Sequence, residues 1–419
     1  MKRTMIFSDF ALLNPSVSLK KDVEYPFVPM DAITPGSRSV FVEKRIYTGG
    51  GTKFRSGDTL FARITPCLEN GKIVQFRGSS GDVGFGSTEF FIFRAREEIS
   101  DPDYIFYLAL SDILRNPAEK SMSGTSGRQR ADIASIRDLE VPAPPLPTQR
   151  KIAAILSVYV DLIENNTRRI AILEEMAQAL YREWFVHFRF PCSEKKSMVE
   201  SALGMIPEGW EVVRLGDVAY EKRRSVNPEA IDPETPYFGL EHLPRKSIAL
   251  SEWGTAKEVQ STKLAFYKDE ILFGKIRPYF HKVGVAPLNG VCSSDTIVIL
   301  PKNDKYYGLV LSCVSSEDFV SYATRTSQGT KMPRANWDVL VKYPVVLPSE
   351  QMLTYFNNFI HDIVSQIQNL IFHNRNLRRT RDLLLPKLIS GELDVEGLAI
   401  ALDGDDDGVS VREEEGVMS

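Results

Sequence analysis

Two long stretches of the chain repeat apolar residues in alternating steps of four and three. The first runs Ile152, Leu156, Tyr159, Ile163, Asn166, Ile170, Leu173, Ala177, Leu180, Trp184. The second runs Leu353, Phe356, Ile360, Ile363, Ile367, Leu370, Asn374, Leu377, Arg381, Leu384. A seam of this period, sustained over more than four heptads, predicts two long helices that pair along it as a coiled coil. Each seam carries one Asn, a residue that fixes register at a cost in stability. If the two helices align at their centres, Asn166 and Asn374 come close enough to satisfy each other. Thr148 and Ser349, each directly after a proline, are the expected N-caps, and Pro386 with Gly391 marks the expected end of the second helix.

Outside the helices the pattern is written twice. Residues 57–66, "GDTLFARITP", return at 269–278 as "DEILFGKIRP". In both an acid precedes an apolar run, followed by a small residue, a cation, Ile, one further residue and Pro. Later, "SGTSGRQRADIASIRDLEVPAPPLPTQ" (123–149) is matched by "TSQGTKMPRANWDVLVKYPVVLPSEQ" (326–351), with Gln149 and Gln351 closing the two. The order is kept half a chain apart, so one large unit is duplicated; a solenoid would repeat every 20–50 residues. Short β-branched and aromatic runs such as "EFFIF" (89–93) and "DTIVIL" (295–300) interleave with helical stretches such as "DYIFYLALSDIL" (103–114), which reads as α+β in each copy. The expected division is a first domain at 1–146, a long helix at 147–188, a linker at 189–208, a second domain at 209–346, a second long helix at 347–392 and an acidic, disordered tail at 393–419.

At 419 residues, 43% of them hydrophobic and 25% charged, the chain has the make-up of an ordinary globular protein of two or three domains. Four cysteines stand far apart without metal-ligand spacing, as expected of reduced thiols in a cytoplasmic protein. Asp9 interrupts the apolar start, which argues against a signal peptide, and no apolar run reaches membrane-spanning length. The net charge of −4 is set by residues 402–419, which hold seven acids and one Arg; the rest is near neutral, so any charge for nucleic acid must be clustered.

Catalytic patterns are missing. There is no phosphate loop, no HExxH, no GxSxG frame around "SGTSG", and no ligand pattern among the five histidines. Asp58, Glu69 and Lys72 are too loosely spaced for a nuclease reading. No metal or cofactor is expected. What stands out is basic chemistry on loops. Arg63 lies in the first copy of the doubled phrase and Lys72 follows it; Lys275 and Arg277 lie in the second and Lys282 follows it. Arg128 and Arg130 follow one glycine-rich loop, Lys331 and Arg334 the other. Glycine lets a backbone approach a phosphate, and Arg grips phosphate or guanine in bidentate fashion. Gln129 and Asn336 are the candidates for reading adenine edges.

The ordered set of "GDTLFARITP", "DEILFGKIRPYFHKVG", "PAPPLPTQRKIAAIL", "VVLPSEQ", "LGMIPEGWEVVRLGDVA" and "RRTRDLLLPKLISGELDV" resembles the specificity (S) subunit of type I restriction–modification systems, over the whole chain except the tail. The resemblance implies two target-recognition domains, two long antiparallel helices that hold them apart, and no catalysis by this subunit. It implies binding of a bipartite site on double-stranded DNA, one half-site per domain, with two methyltransferase subunits and restriction subunits as partners. Two alternatives stand beside it: a related system whose partner fuses modification and nuclease functions, and a coiled-coil scaffold that does not read DNA. The first domain departs from the pattern by lacking the "P-x-GW" lead-in, so the absence of its initial strand is expected, and "PTQ" stands in place of "PSEQ".

Overall fold

The computed structural model describes residues 3–38, 40, 42–79, 81–125, 127–191 and 197–399. Cys192 and the acidic residues 402–419 lie outside them. Contacts divide the chain into two compact units, Met1–Glu164 with Asn376–Ser419, and Asn165–Arg375. The first long helix, Leu146–Tyr181, and the second, Glu350–Ile389, each contribute residues to both units.

In unit 1 the doubled phrase forms the strand Thr59–Ala62. It is central in a four-stranded sheet ordered Ala11–Leu13, Phe90–Ala95, Thr59–Ala62, Ile73–Gln75. All four of its residues are buried, because both faces are covered. Phe61 points into a core with Phe7, Phe93, Tyr104 and Leu156, while Leu60 points the other way into a core with Val28, Phe54 and Phe76. Alternating strand residues thus serve two apolar layers, which is why the run is continuous rather than period-two. The second layer is closed by another sheet, ordered Glu43–Ile46, Glu24–Val28, Val83–Gly86, Thr52–Arg55.

Unit 2 repeats the plan with the same register. Leu272 of the strand Ile271–Gly274 pairs with Val298 as Leu60 pairs with Ile92, and Phe273 pairs with Val283 as Phe61 does with Ile73. The parallel pairings of the second sheets also correspond: Phe27 with Phe85 and Val28 with Gly86 in one, Tyr237 with Val291 and Phe238 with Cys292 in the other.

The acid of the doubled phrase has a structural task. Asp58, fully buried, accepts from Arg94 Nε and Nη2 at 2.7 Å each and from the Arg55 N–H at 2.8 Å. Glu270 accepts from Arg224 Nη1 and Nη2 at 2.8 and 2.6 Å and from the Tyr267 N–H at 3.0 Å. Each carboxylate ties the turn before its strand to a guanidinium from elsewhere in its unit.

Several expectations are corrected. The first unit has its initial strand: Thr4–Ile6 pairs antiparallel with Glu140–Pro142, as Glu211–Arg214 pairs with Pro344–Leu347. The second copy is preceded by a hairpin, Met198–Ser201 with Gly204–Pro207, and by Trp210, whose ring stacks on Phe190 at 4.8 Å. Thr148 is no cap; the helix starts at Leu146, and the Gln149 N–H already bonds to the Pro145 carbonyl. Prolines fit the first turn, where their missing N–H has no partner to lose. Pro386 does not stop the second helix, which continues to Ile389 before Gly391 takes a φ of +66°. Gln149 and Gln351 are not equivalent: Gln149 is buried and bonds to Asp101, Ile99 and Pro144, whereas Gln351 is exposed at the helix start. The segment after the second helix is packed at first, with Val395 buried beside Leu388 and Ile389.

Within unit 2 the helices run antiparallel. Asn166 Nδ2 donates to Asn374 Oδ1 at 2.9 Å, and further along Phe185 meets Phe356 edge-on at 4.7 Å. Within unit 1, Ile152, Ala153 and Leu156 share a core with Leu388 and Ile389.

Candidate nucleic-acid interface

The two features singled out in each half of the sequence meet in space. In unit 1 the chain leaves the strand Thr59–Ala62 at Arg63 and pairs with the far arm of the glycine-rich loop. The Ala131 N–H donates to the Arg63 carbonyl at 2.7 Å, the Thr65 N–H to the Gln129 carbonyl at 3.0 Å, and Ser123 and Arg130 close the loop with reciprocal bonds of 3.1 and 2.9 Å. Gly124 and Gly127 supply the positive φ, +126° and +79°, that this closure needs.

Unit 2 builds the same junction bond for bond. The Ala335 N–H donates to the Lys275 carbonyl at 2.9 Å, the Arg277 N–H to the Pro333 carbonyl at 2.7 Å, and Gln328 and Arg334 close the loop at 3.0 and 2.8 Å. Arg63 and Lys275 also donate their own N–H to the carbonyls of Glu89 and Asp295, at 3.0 Å in both cases. One frame therefore carries two different sets of side chains.

The eleven residues expected to contact DNA fall into distinct roles. Arg128 and Lys331 are exposed on the loops, with no side-chain hydrogen bond or ion pair among the described residues. Arg130 grips Glu89 at 2.6 Å, and that contact holds the Glu89 carboxyl below its ordinary range; Arg334 faces Asp295 at 3.5 Å. Pairs this exposed are weak and can trade a carboxylate for a phosphate. Arg63 lies over the Phe91 ring at 4.7 Å; among the described residues its buried Nε and that of Arg277 have no hydrogen-bond partner. Lys275 is half-buried on a polar cleft of about 540 Å³ shared with Arg223, Gln328, Arg334 and Asn336.

Lys72 and Lys282 are held inward. Lys72 Nζ donates to the Met30 carbonyl at 2.8 Å and Lys282 Nζ to the Leu240 carbonyl, so both fasten one sheet to the loop of the next. Burial pushes the Lys282 ammonium below its ordinary range. Gln129 is half-buried beside the junction. Asn336 caps the turn Trp337–Leu340, its Oδ1 accepting from the Asp338 N–H at 3.0 Å, while its amide N–H₂ is available to donate to a base.

Sequence reasoning missed Glu89 and Asp295, the acids that hold Arg130 and Arg334, although both open the strand runs quoted above. It also missed Arg245, whose guanidinium covers Phe280 at 4.2 Å. Among the described residues no cluster of metal-ligating side chains occurs, and no helix is long and apolar enough to cross a membrane.

Comparison with known proteins gives a consistent answer. The family model described as type I restriction modification DNA specificity domain matches residues 13–175 and again 207–376. The chain is 27% identical, over 71% of its length and 70% of the relative's, to the type I restriction enzyme MjaIX specificity subunit of Methanocaldococcus jannaschii. It is 24% identical to the HindI specificity subunit of Haemophilus influenzae, over 81% of this chain and 87% of that one. Among solved structures it shares its fold with the S subunit of a type I system from M. genitalium, at a TM-score of 0.57 and 14% identity, covering 94% and 96% of the two chains.

Proposed function

The chain belongs to the type I restriction modification DNA specificity family, and from that premise we propose how its two units divide the work. It is a DNA specificity subunit. Unit 1 reads one half of a bipartite site on duplex DNA and unit 2 the other. The observation that carries this is the junction described above: the same backbone frame in both units, with Arg128 and Gln129 on one loop and Lys331 and Met332 on the other. A common frame fixes register on the phosphates, and side chains that differ read different bases.

Methyl transfer and cleavage belong to partner subunits: two methyltransferase subunits, joined by restriction subunits. Apolar side chains exposed on the long helices support docking there. Val158 and Leu162 are 57% and 46% exposed in unit 1; Ile172, Met176, Tyr355 and Phe359 are 55%, 47%, 59% and 49% exposed in unit 2. Scattered apolar residues are common, but this many on two helices favours a helical partner.

The test is a domain exchange. Residues 1–146 are replaced by the corresponding segment of another specificity subunit, and methylated adenines are mapped by single-molecule sequencing in cells carrying the partner methyltransferase. One half of the methylated site changes and the other is kept. A change in both halves, or in neither, rejects the division of labour.

A further inference from the structure

The segment after the second copy of the doubled phrase does something its counterpart in unit 1 does not. Pro278–Phe280 is a single tight turn flanked by two non-glycine residues in the left-handed region, Arg277 (φ 49°) and His281 (φ 52°). Such a conformation is uncommon for Arg and His and persists only where surrounding bonds impose it. Those bonds are present. The Arg277 N–H is held by the Pro333 carbonyl at 2.7 Å, the His281 N–H by Pro278 at 2.8 Å, and the His281 carbonyl by the Lys246 N–H at 2.8 Å. The His281 ring Nε2 lies 2.9 Å from the Ser315 carbonyl.

The product of this bracing is an aromatic ring presented outward. Tyr279 is 50% exposed, its ring edge-on to Phe280 at 4.8 Å, and Phe280 lies under the Arg245 guanidinium. Arg277 and the exposed Lys331 stand on the paired loops. At the matching place in unit 1 the residue is Cys67, half-buried, and the residue after it, Leu68, is fully buried. An exposed aromatic ring on a braced turn, close in sequence to Arg277 and next to a Phe280 ring covered by Arg245, at the junction assigned to DNA, is the chemistry of a side chain that enters a base step while its neighbours hold the flanking phosphates.

We propose that Tyr279 is a wedge: its ring enters the half-site read by unit 2, stacks on a base at an opened step, and makes that step a specificity determinant. Pyrimidine–purine steps unstack most easily, so the favoured step is of that class. The half-site read by unit 1 lacks such a step. This inference rests on the reading of unit 2 as a half-site reader.

The test uses the full chain in complex with its methyltransferase partner and duplexes carrying the mapped site, with 2-aminopurine placed at successive purines of both half-sites other than the methylated adenines and their immediate neighbours, which the methyltransferase itself extrudes or unstacks. The wild-type complex brightens 2-aminopurine at one step, in the unit 2 half-site only. Tyr279→Ser abolishes the signal and weakens binding roughly 5- to 100-fold, the range expected for one stacked base. Tyr279→Phe keeps both. Unchanged tryptophan emission and circular dichroism certify that the variants fold. If the wild type protects both half-sites from cleavage reagents without brightening any step, or if Tyr279→Ser brightens it equally, the wedge is refuted and the half-site reading stands. If the unit 2 half-site is not protected at all, both fall.

Discussion

Replacing Asp58 by Asn should cost unit 1 about 3–5 kcal/mol, the loss typical of a buried ion pair deprived of one partner. Asp58 has no exposed surface, and the Arg94 side chain is only 10% exposed. Asparagine keeps the shape and one acceptor oxygen, but its amide would set N–H₂ against one of the guanidinium N–H groups now 2.7 Å from a carboxylate oxygen. Arg94 is then left charged, desolvated and half-bonded, in a unit whose whole stability is on the order of 5–15 kcal/mol. Replacing the pair together, D58L with R94M, should restore most of that loss, because an apolar pair of similar volume avoids the desolvation cost.

The four tryptophans allow the effect to be localised. Trp184, Trp210, Trp253 and Trp337 all belong to unit 2, so tryptophan emission in a urea titration follows that unit. Amide exchange in Thr59–Ala62 and Phe90–Ala95 follows unit 1. D58N should speed exchange in those strands about 100-fold or more, one decade for each 1.4 kcal/mol. E270Q should instead shift the tryptophan transition, and by less, since Arg224 is 21% exposed and water can help to satisfy it. A loss below about 1 kcal/mol for D58N, with Arg94 still in place, would refute the argument that these acids are structural anchors.

Three further outcomes are expected. Burial pushes the Glu174 carboxyl up even though Ser247, Ile248 and Ala249 donate to it, so its stabilising contribution is full below about pH 4.5 and declines as pH rises through the folded value. E174Q should therefore match or exceed the wild type at pH 7 in tryptophan-monitored unfolding, whereas E174A should lose about 1–3 kcal/mol. Burial pushes His281 down, against Glu317 and with Lys246, so unit 2 should weaken as pH falls below about 6.5; a flat profile there would contradict this assignment. In DNA titrations, R128A should reduce the slope of log K against log salt by about one, while K72M should leave it unchanged because that ammonium serves Met30.

The duplication was legible because register leaves a trace in sequence. Phe61 and Phe273 had to meet the same neighbours, so the residues around them were written alike, and the apolar seams were readable for the same reason. The boundaries were harder. Thr148 looked like a cap from its type and the proline before it, but prolines at 145 and 147 suit the start of a helix better than a threonine already inside the first turn. The initial strand of unit 1 is three residues long, and its partner lies at Glu140–Pro142, a pairing too distant for local pattern to announce. At the candidate interface, residue type found the loops but could not sort them. Lys72 and Arg128 read alike as surface cations; only the position of the Met30 carbonyl, set by a sheet formed elsewhere, turns one inward. The turn at Tyr279 was hidden for a related reason, since nothing in "RPYFH" says that Arg277 and His281 are braced in left-handed geometry.

The makeup of unit 1 has a consequence for the order in which a ribosome can deliver this protein. Its core needs Leu388 and Ile389 packed against Ile152, Ala153 and Leu156, yet all of 165–375 is synthesised between those two sets. At cellular elongation rates that interval is on the order of ten to forty seconds. Unit 2 is continuous in sequence and can close as soon as its own last residues emerge. The N-terminal part of unit 1 must wait with its helix-binding face open, dependent on holding factors or on slow collapse, until the end of the chain arrives. A message truncated anywhere after residue 375 but before Leu388 would therefore release a polypeptide whose middle is complete and whose beginning is not.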